Sequence, residues 1–373
     1  MTDHDAPSEL RRLIREEITE AGGAIPFARF MELALYAPGL GYYERGRLAV
    51  GKRGDFYTSV SVGSLFGELV AFQFAGWLAG LDGPVQIAEA GAHDGKLAAD
   101  ILHWLKRFQP TLFARLEYVI AEPSPARREW QASHLAPFAG KVRWTDGFTP
   151  DSLRGIIFTN ELLDAMPVHR LGWDAGKKSW FEWGVASGTA GFIWQRLEHP
   201  PAPLLLSLLP ELPAELLAVL PDGFSTEISP AATDWWCHAA TALSEGWLVT
   251  VDYGLLAEEF FLPQRSAGTL RGYHQHRFAE DLLAQPGEQD LTAQVNFTAL
   301  RRTGEQAGLH TEAFVTQRQW LTQIMGRTGQ STGDFAPWDS ARVRQFQTLT
   351  HPEHLGRAFS VLVQRRSSDR VST

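Results

Sequence analysis

Apolar and polar positions along this 373-residue chain follow two periods, and the switches between them mark out its elements. Ser8 to Ala21 repeats at helical spacing, with Ser8 as N-cap and Gly22-Gly23 as stop. Pro26 opens a second helix, PFARFMELALY, which ends near Pro38-Gly39. A helix from about Leu65 to Leu81 leads into an apolar run of strand length, Val85, Ile87 and Ala88. That run closes in Glu89, Gly91 and Gly95. A helix follows with Leu97, Ala98, Ile101 and Leu102 on one side. Further strands are expected at Tyr118–Ala121, Val142–Trp144, Gly155–Thr159 and Trp247–Asp252, the last preceded by a helix from Ala231 to Leu243. Helix Phe297–Ala307, strand His310–Thr316, a helical region and strand Phe359–Arg365 complete the chain, and the tail SSDRVST is expected to fray.

This alternation predicts an α/β fold, and the terminal strand pair refines it. Five α/β units followed by two closing strands are how class I methyltransferases finish a Rossmann-like seven-stranded sheet, the last strand inserted antiparallel. Residues 170 to 225 break the alternation. KSWFEWGVASGTAGFIWQRL reads as antiparallel strands around a glycine turn, followed by a Pro/Leu-rich piece. The expected organisation is therefore residues 1–82 as N-terminal helices with a glycine- and aromatic-rich loop. Residues 83–169 with 226–373 form the donor-binding domain, and 170–225 an inserted α+β region for substrate or partner.

Composition narrows the classes. With 44% hydrophobic and 21% charged residues the chain is an ordinary globular one, and 373 residues suffice for a large core. Its 34 basic and 43 acidic residues leave a net charge of −9, which argues against a broad nucleic-acid footprint. The single cysteine, Cys237, excludes a disulfide framework and a zinc spacing, and points to a reducing compartment. No apolar run is long enough to span a membrane. The N-terminus is acidic, without a signal or transit pattern, and a bacterial cytoplasmic location is expected.

The glycine turn after the first α/β strand carries the chemistry. A dinucleotide fingerprint needs glycines at 91, 93 and 96, but these positions hold Gly91, His93 and Lys96. A P-loop pattern is absent, and no hydride-transfer constellation is visible. What remains is a strand-end acid followed by G-A-x-x-G, an arrangement class I methyltransferases use for S-adenosylmethionine. It suits a ligand with a cationic amino group and ribose hydroxyls and no pyrophosphate. Glu122 ends the next strand, where adenosine-binding folds place an acid for the ribose. Asp146-Gly147 follows the third strand, a natural adenine contact. Asn160, Glu161 and Asp164 follow the fourth. If that segment is helical, Glu161 and Asp164 share a face and suit a guanidinium. An equally good account makes them acids at a helix start. His274 and His276 lack a cluster at metal-ligand spacing, so no metal is expected, and Asp55 and Asp290 read equally well as turn residues.

Together these blocks resemble the MidA-like methyltransferases, a family that includes a mitochondrial arginine methyltransferase acting in complex I assembly. FMELALYAPGLGYY, GDFYTS with the later FGE, EAGAHDGKLAADIL, AEPSPARR, NELLDAMPV, DYG, GTLRGYHQH and DLTAQVNF stand in the family's order, nearly end to end. The resemblance implies a class I fold with S-adenosylmethionine as donor and S-adenosylhomocysteine as product. It also implies a protein arginine as acceptor, on a complex I subunit for the mitochondrial member. Carried over, Glu89, Gly91 and Gly95 hold the methionine part and Glu122 the ribose. Thr58 and Ser59 close over the donor. Ala92, Pro123, Ser124, Asp146, Gly147 and Asn160 complete the donor set, and Glu161 and Asp164 lie near the acceptor as catalytic residues. The chain departs from the family at His93 in the glycine turn, at Ser61 and at Asn296, the last two where the family carries acids. A different, small-molecule acceptor and a non-catalytic assembly role are the competing readings, and homodimerisation stays open.

Overall fold

The five parallel strands and the antiparallel closing pair fall where the sequence places them. In the computed structural model, which describes residues 6–44, 58–274, 277–329, 333–353 and 355–368, they form one sheet. The strand order is His310–Thr316, Phe359–Arg366, Leu243–Leu255, Leu153–Asn160, Val85–Ala90, Leu116–Ala121, Val142–Thr145. Phe359–Arg366 is antiparallel to both of its neighbours, and the other four junctions down to Val142–Thr145 are parallel. An eighth strand, Val295–Asn296, pairs with Gly254 and Leu255 at the end of Leu243–Leu255.

The described chain forms two compact units. One comprises Tyr57–Leu163, Trp235–Tyr253 and Arg301–Thr373, and holds the seven-strand order. Its central strands are apolar along nearly their whole length, as strands covered on both faces must be. Ile87, Tyr118, Ile120, Ile156 and Val361 pack with Leu69, Phe74 and Ile101 from the flanking helices Leu65–Leu78 and Lys96–Phe108. Buried Trp236 donates to Gln364 Oε1 at 2.8 Å, so the polar end of a large core residue is satisfied.

The other unit comprises Met1–Phe56, Asp164–Asp234 and Gly254–Leu300. The N-terminal helix Ala6–Glu20 buries Leu10, Ile14 and Ile18 in a cluster with Phe27, Phe30, Met31, Val185 and Leu270. The short strand Ala24–Pro26 pairs with Ser179–Ser187. That strand in turn pairs with His169–Asp174 and Phe192–Arg196, and Ser225–Ile228 closes the five-stranded antiparallel sheet. Residues 170–225, read as an insertion, thus share a sheet and a core with the N-terminal helices, read as a separate extension. The signal for this grouping is the three-residue strand Ala24–Pro26, too short to have a period of its own.

The fourth and fifth parallel strands start from a tight crossing. Gly246 has φ +127°, and a Cβ there would sit 1.8 Å from the Gly155 carbonyl oxygen. Gly246→Ala should lower the urea midpoint at unchanged slope, by roughly 2 kcal/mol or more. An unchanged midpoint would mean that the strands separate without cost.

Candidate donor site

Val85–Ala90 and Leu153–Asn160 are hydrogen-bonded neighbours, but the chain leaves them in opposite directions along the sheet. Their carboxyl ends therefore bound a crevice that no crossover covers, where open α/β sheets bind ligands. The acids expected at the donor site are placed here or on the next strand.

Glu89 is 2% exposed, and its Oε2 accepts a 2.6 Å hydrogen bond from Tyr118. Burial pushes its carboxyl up to about 8, against the lowering effect of the Tyr118 bond, and Asp94 pushes the same way. Gly91 and Gly95 both have positive φ, +76° and +83°. A Cβ on Gly91 would come within 3.1 Å of the Leu162 side chain on a backbone that L residues rarely adopt, so glycine is favoured there. Ala92 is buried beneath it. Gly95 starts helix Lys96–Phe108, and Asp94 Oδ1 accepts from Lys96 N at 3.0 Å. His93 adopts φ +48°, half-buried, its ring edge-on to Trp130 at 4.8 Å and its Nδ1 3.6 Å from Asp94.

Glu122 is buried and held from several sides. Oε1 accepts from Ser124 N, and Oε2 from Gln131 Nε2, both at 3.1 Å, with Arg127 3.5 Å away. Gln131 also donates to the His93 carbonyl and accepts from Trp144 Nε1, which ties the glycine turn, Glu122 and the third strand together. Gln131 and Tyr118 were not anticipated. Gln131 had one legible signal, a glutamine that is fully buried on an otherwise polar helix, and that signal needs the fold to be seen. Pro123 is exposed. Asp146 is 86% exposed and pairs with Arg128, and Gly147 N bonds weakly to Thr145 Oγ1 at 3.4 Å. Thr58 caps the short helix Ser59–Val62 by accepting from Ser61 N. Ser59 is fully buried, and its hydroxyl donates to Gln317. The preceding Gly54, Asp55, Phe56 and Tyr57, and His276, lie outside the described residues. His274 rests against the Glu288 carbonyl, and no metal-holding cluster occurs among the described residues.

The acids after the fourth strand differ from expectation. Leu163–Ala165 is a single 3-10 turn and Glu161 has φ +54°, so no α-helix places Glu161 and Asp164 on one face. Asp252, which the sequence presented only as a strand end, accounts for the difference. It is fully buried, and its Oδ2 accepts from Leu162 N at 3.2 Å and Leu163 N at 2.8 Å, while Oδ1 accepts from Tyr253 N at 2.8 Å. A carboxylate on the neighbouring strand thus satisfies the amides that a helix start would otherwise leave open. Asn160 Nδ2 donates to Glu161 Oε1 at 3.0 Å, and Asn160 Oδ1 is buried with no partner. Asp164 belongs to the other unit. Its carbonyl accepts from Ala293 N; burial raises the Tyr43 hydroxyl pKa, helped by Asp290, to which Tyr43 donates at 2.8 Å, and to a smaller extent by Tyr36 and Asp164. The family blocks containing Tyr43 and Asp290 thus meet within that unit.

An orphaned buried oxygen on Asn160, an under-compensated acid at Glu89, a glycine turn at positive φ and a buried acid at Glu122 fit a cationic nucleoside ligand. The strand order and these strand-end groups define a class I methyltransferase. The chain belongs to the family of S-adenosyl-L-methionine-dependent methyltransferases, whose family model matches residues 69–315. It is 32% identical to a Burkholderia thailandensis protein whose crystal structure holds S-adenosyl-homocysteine. That match has a TM-score of 0.83 and covers 98% of this chain and 93% of that one. It is 28% identical to the Drosophila melanogaster protein arginine methyltransferase NDUFAF7 homolog, mitochondrial, over 95% of this chain and 84% of that protein. It is 27% identical to human protein arginine methyltransferase NDUFAF7, mitochondrial, over 76% of this chain and 66% of that protein. S-adenosylmethionine is the cofactor, and no helix among the described residues is long and apolar enough to cross a membrane.

Two outcomes follow for the donor site. Between about pH 4.5 and 8 the folded, ligand-free chain keeps the Glu89 proton that the unfolded chain has lost, so stability falls as pH rises through this window. From pH 6 to 8 the loss should be about 2 kcal/mol larger for wild type than for Glu89→Gln in denaturant titrations. Equal slopes would mean that Glu89 is ionised in the free protein. Gly91→Val should abolish calorimetric binding of S-adenosylhomocysteine while the protein stays folded, and retained binding would place the ligand elsewhere.

Proposed function

We propose that this methyltransferase modifies arginine side chains of protein, with a respiratory complex I subunit as the acceptor protein and the bacterial cytoplasm as its location. The observation that carries the reading is the group of hydrogen-bond acceptors at the end of the fourth strand, where Asn160 leaves a buried oxygen open beside the carboxylate of Glu161. Such a pair is complementary to a planar, N–H-rich cation. The names of the Drosophila and human relatives support the same acceptor.

When bound, S-adenosylmethionine supplies a sulfonium methyl already activated for in-line displacement. The protein's task is therefore orientation and handling of the acceptor's proton. Glu161 orients the guanidinium by charge-assisted hydrogen bonds and lies within reach of the proton lost after transfer. The turn Gly91 to Gly95 and Glu122 hold the donor. His93 packs its ring on Trp130.

Incubation of purified protein with methyl-labelled donor and cell extract should label a protein band whose hydrolysate contains methylarginine. Glu161→Ala should reduce that label at least tenfold while binding S-adenosylhomocysteine as wild type does. Label confined to small molecules, or protein label undiminished in Glu161→Ala, would overturn the assignment.

A further inference from the structure

We propose that Asp252 is a positioning residue for methyl transfer, and that the turn it holds presents the buried Oδ1 of Asn160 to an N–H-bearing cation. Three observations carry this. First, Asp252 is fully buried and spends its carboxylate on backbone: Leu162 N and Leu163 N on one oxygen, Tyr253 N on the other. Second, the backbone it fixes is strained. Glu161 is a non-glycine residue at φ +54°, its N–H donating to the Val251 carbonyl at 3.0 Å, a geometry that persists only where the surroundings over-determine it. Third, the amide just before the strained residue is half-used. Asn160 Nδ2 donates to Glu161 Oε1, whereas Oδ1 is out of contact with solvent and accepts from nothing.

A buried amide oxygen without a donor costs free energy that a folded chain ordinarily avoids. Its rotamer cannot be reversed for relief, because Nδ2 would then turn away from the Glu161 carboxylate and set oxygen against oxygen. Asn160 is thus locked as an acceptor, one residue beyond the strand pair that bounds the crevice. The arrangement is complete only when an N–H donor arrives, and the adjacent carboxylate favours a cationic one. Two groups of that chemistry enter such a site: the α-ammonium of the methyl donor and the nitrogen group of the methyl acceptor. Only the second source rests on the proposed arginine substrate.

The test uses the full-length protein with Asn160→Leu and Asp252→Asn. S-adenosylhomocysteine and its analogue lacking the α-amino group are titrated by calorimetry, and kcat and KM are measured for whichever acceptor wild type labels. If Oδ1 serves the ammonium, Asn160→Leu weakens S-adenosylhomocysteine at least tenfold and leaves the analogue within twofold. If it serves the acceptor, both ligands bind as in wild type and kcat/KM for the acceptor falls at least tenfold. Asp252→Asn should move the same parameter as Asn160→Leu, measured per folded molecule. A merely structural Asp252 would lower the melting temperature and leave those parameters alone. Asn160→Leu leaves the backbone bonds of the turn in place, so it decides the matter even if Asp252→Asn does not fold. Affinity and kcat/KM both within twofold of wild type in Asn160→Leu would overturn the proposal. The titration arm involves no acceptor, so its result is independent of whether the acceptor is arginine.

Discussion

Burying carboxylates at one edge of a sheet is costly unless each finds hydrogen-bond donors, and the donor end of this fold is organised by how unequally that need is met. Asp252 takes three backbone amides and is fully compensated within the chain. Glu122 takes an amide and a glutamine with an arginine nearby, and keeps lone pairs to spare. Glu89 takes one tyrosine hydroxyl and is left short, so burial pushes it up. The gradation separates the scaffold acid from those that a ligand completes. A cation beside Glu89 would offset a desolvation cost the protein alone does not, whereas Glu122 is already fixed in position by Ser124 and Gln131.

The same gradation explains which parts of the site could be read in the sequence. Every strand of the seven-strand order was legible, because strands buried on both faces leave continuous apolar runs and the closing pair has a characteristic place in the chain. The places of Glu89, Gly91, Gly95 and Glu122, at strand ends and in the turn before a helix, were legible because the apolar runs end at them. Tyr118 and Gln131 were not. Each supports an acid from an adjacent element, and their pairing depends on register between strands, which no local pattern encodes. Asp252 shows the sharper limit. Its residue type suggested a strand end, but its consequence lies on the neighbouring strand, where it replaces an expected helix start by a 3-10 turn and places Glu161 in the left-handed region. The grouping of residues 170–225 with the N-terminal helices escaped for a similar reason, since it depends on three residues, Ala24–Pro26, pairing across more than 150 positions of sequence.

The departures from the family pattern bear on the acceptor only if the lost acids faced it. Asn296 does not read that way. Its Oδ1 accepts from Ala299 N at 3.0 Å at the start of helix Phe297–Gln306, a capping duty that asparagine performs as well as aspartate. Ser61 is engaged locally too, with both its N–H and its hydroxyl bonded to Thr58. At Asn296 backbone capping accounts for the residue present, and at Ser61 the side chain is spent on the Thr58 carbonyl. The third, His93, packs its ring edge-on against Trp130. The case for a cationic acceptor therefore stands on Asn160 and Glu161. Both precede the two amides, Leu162 N and Leu163 N, that the buried Asp252 holds.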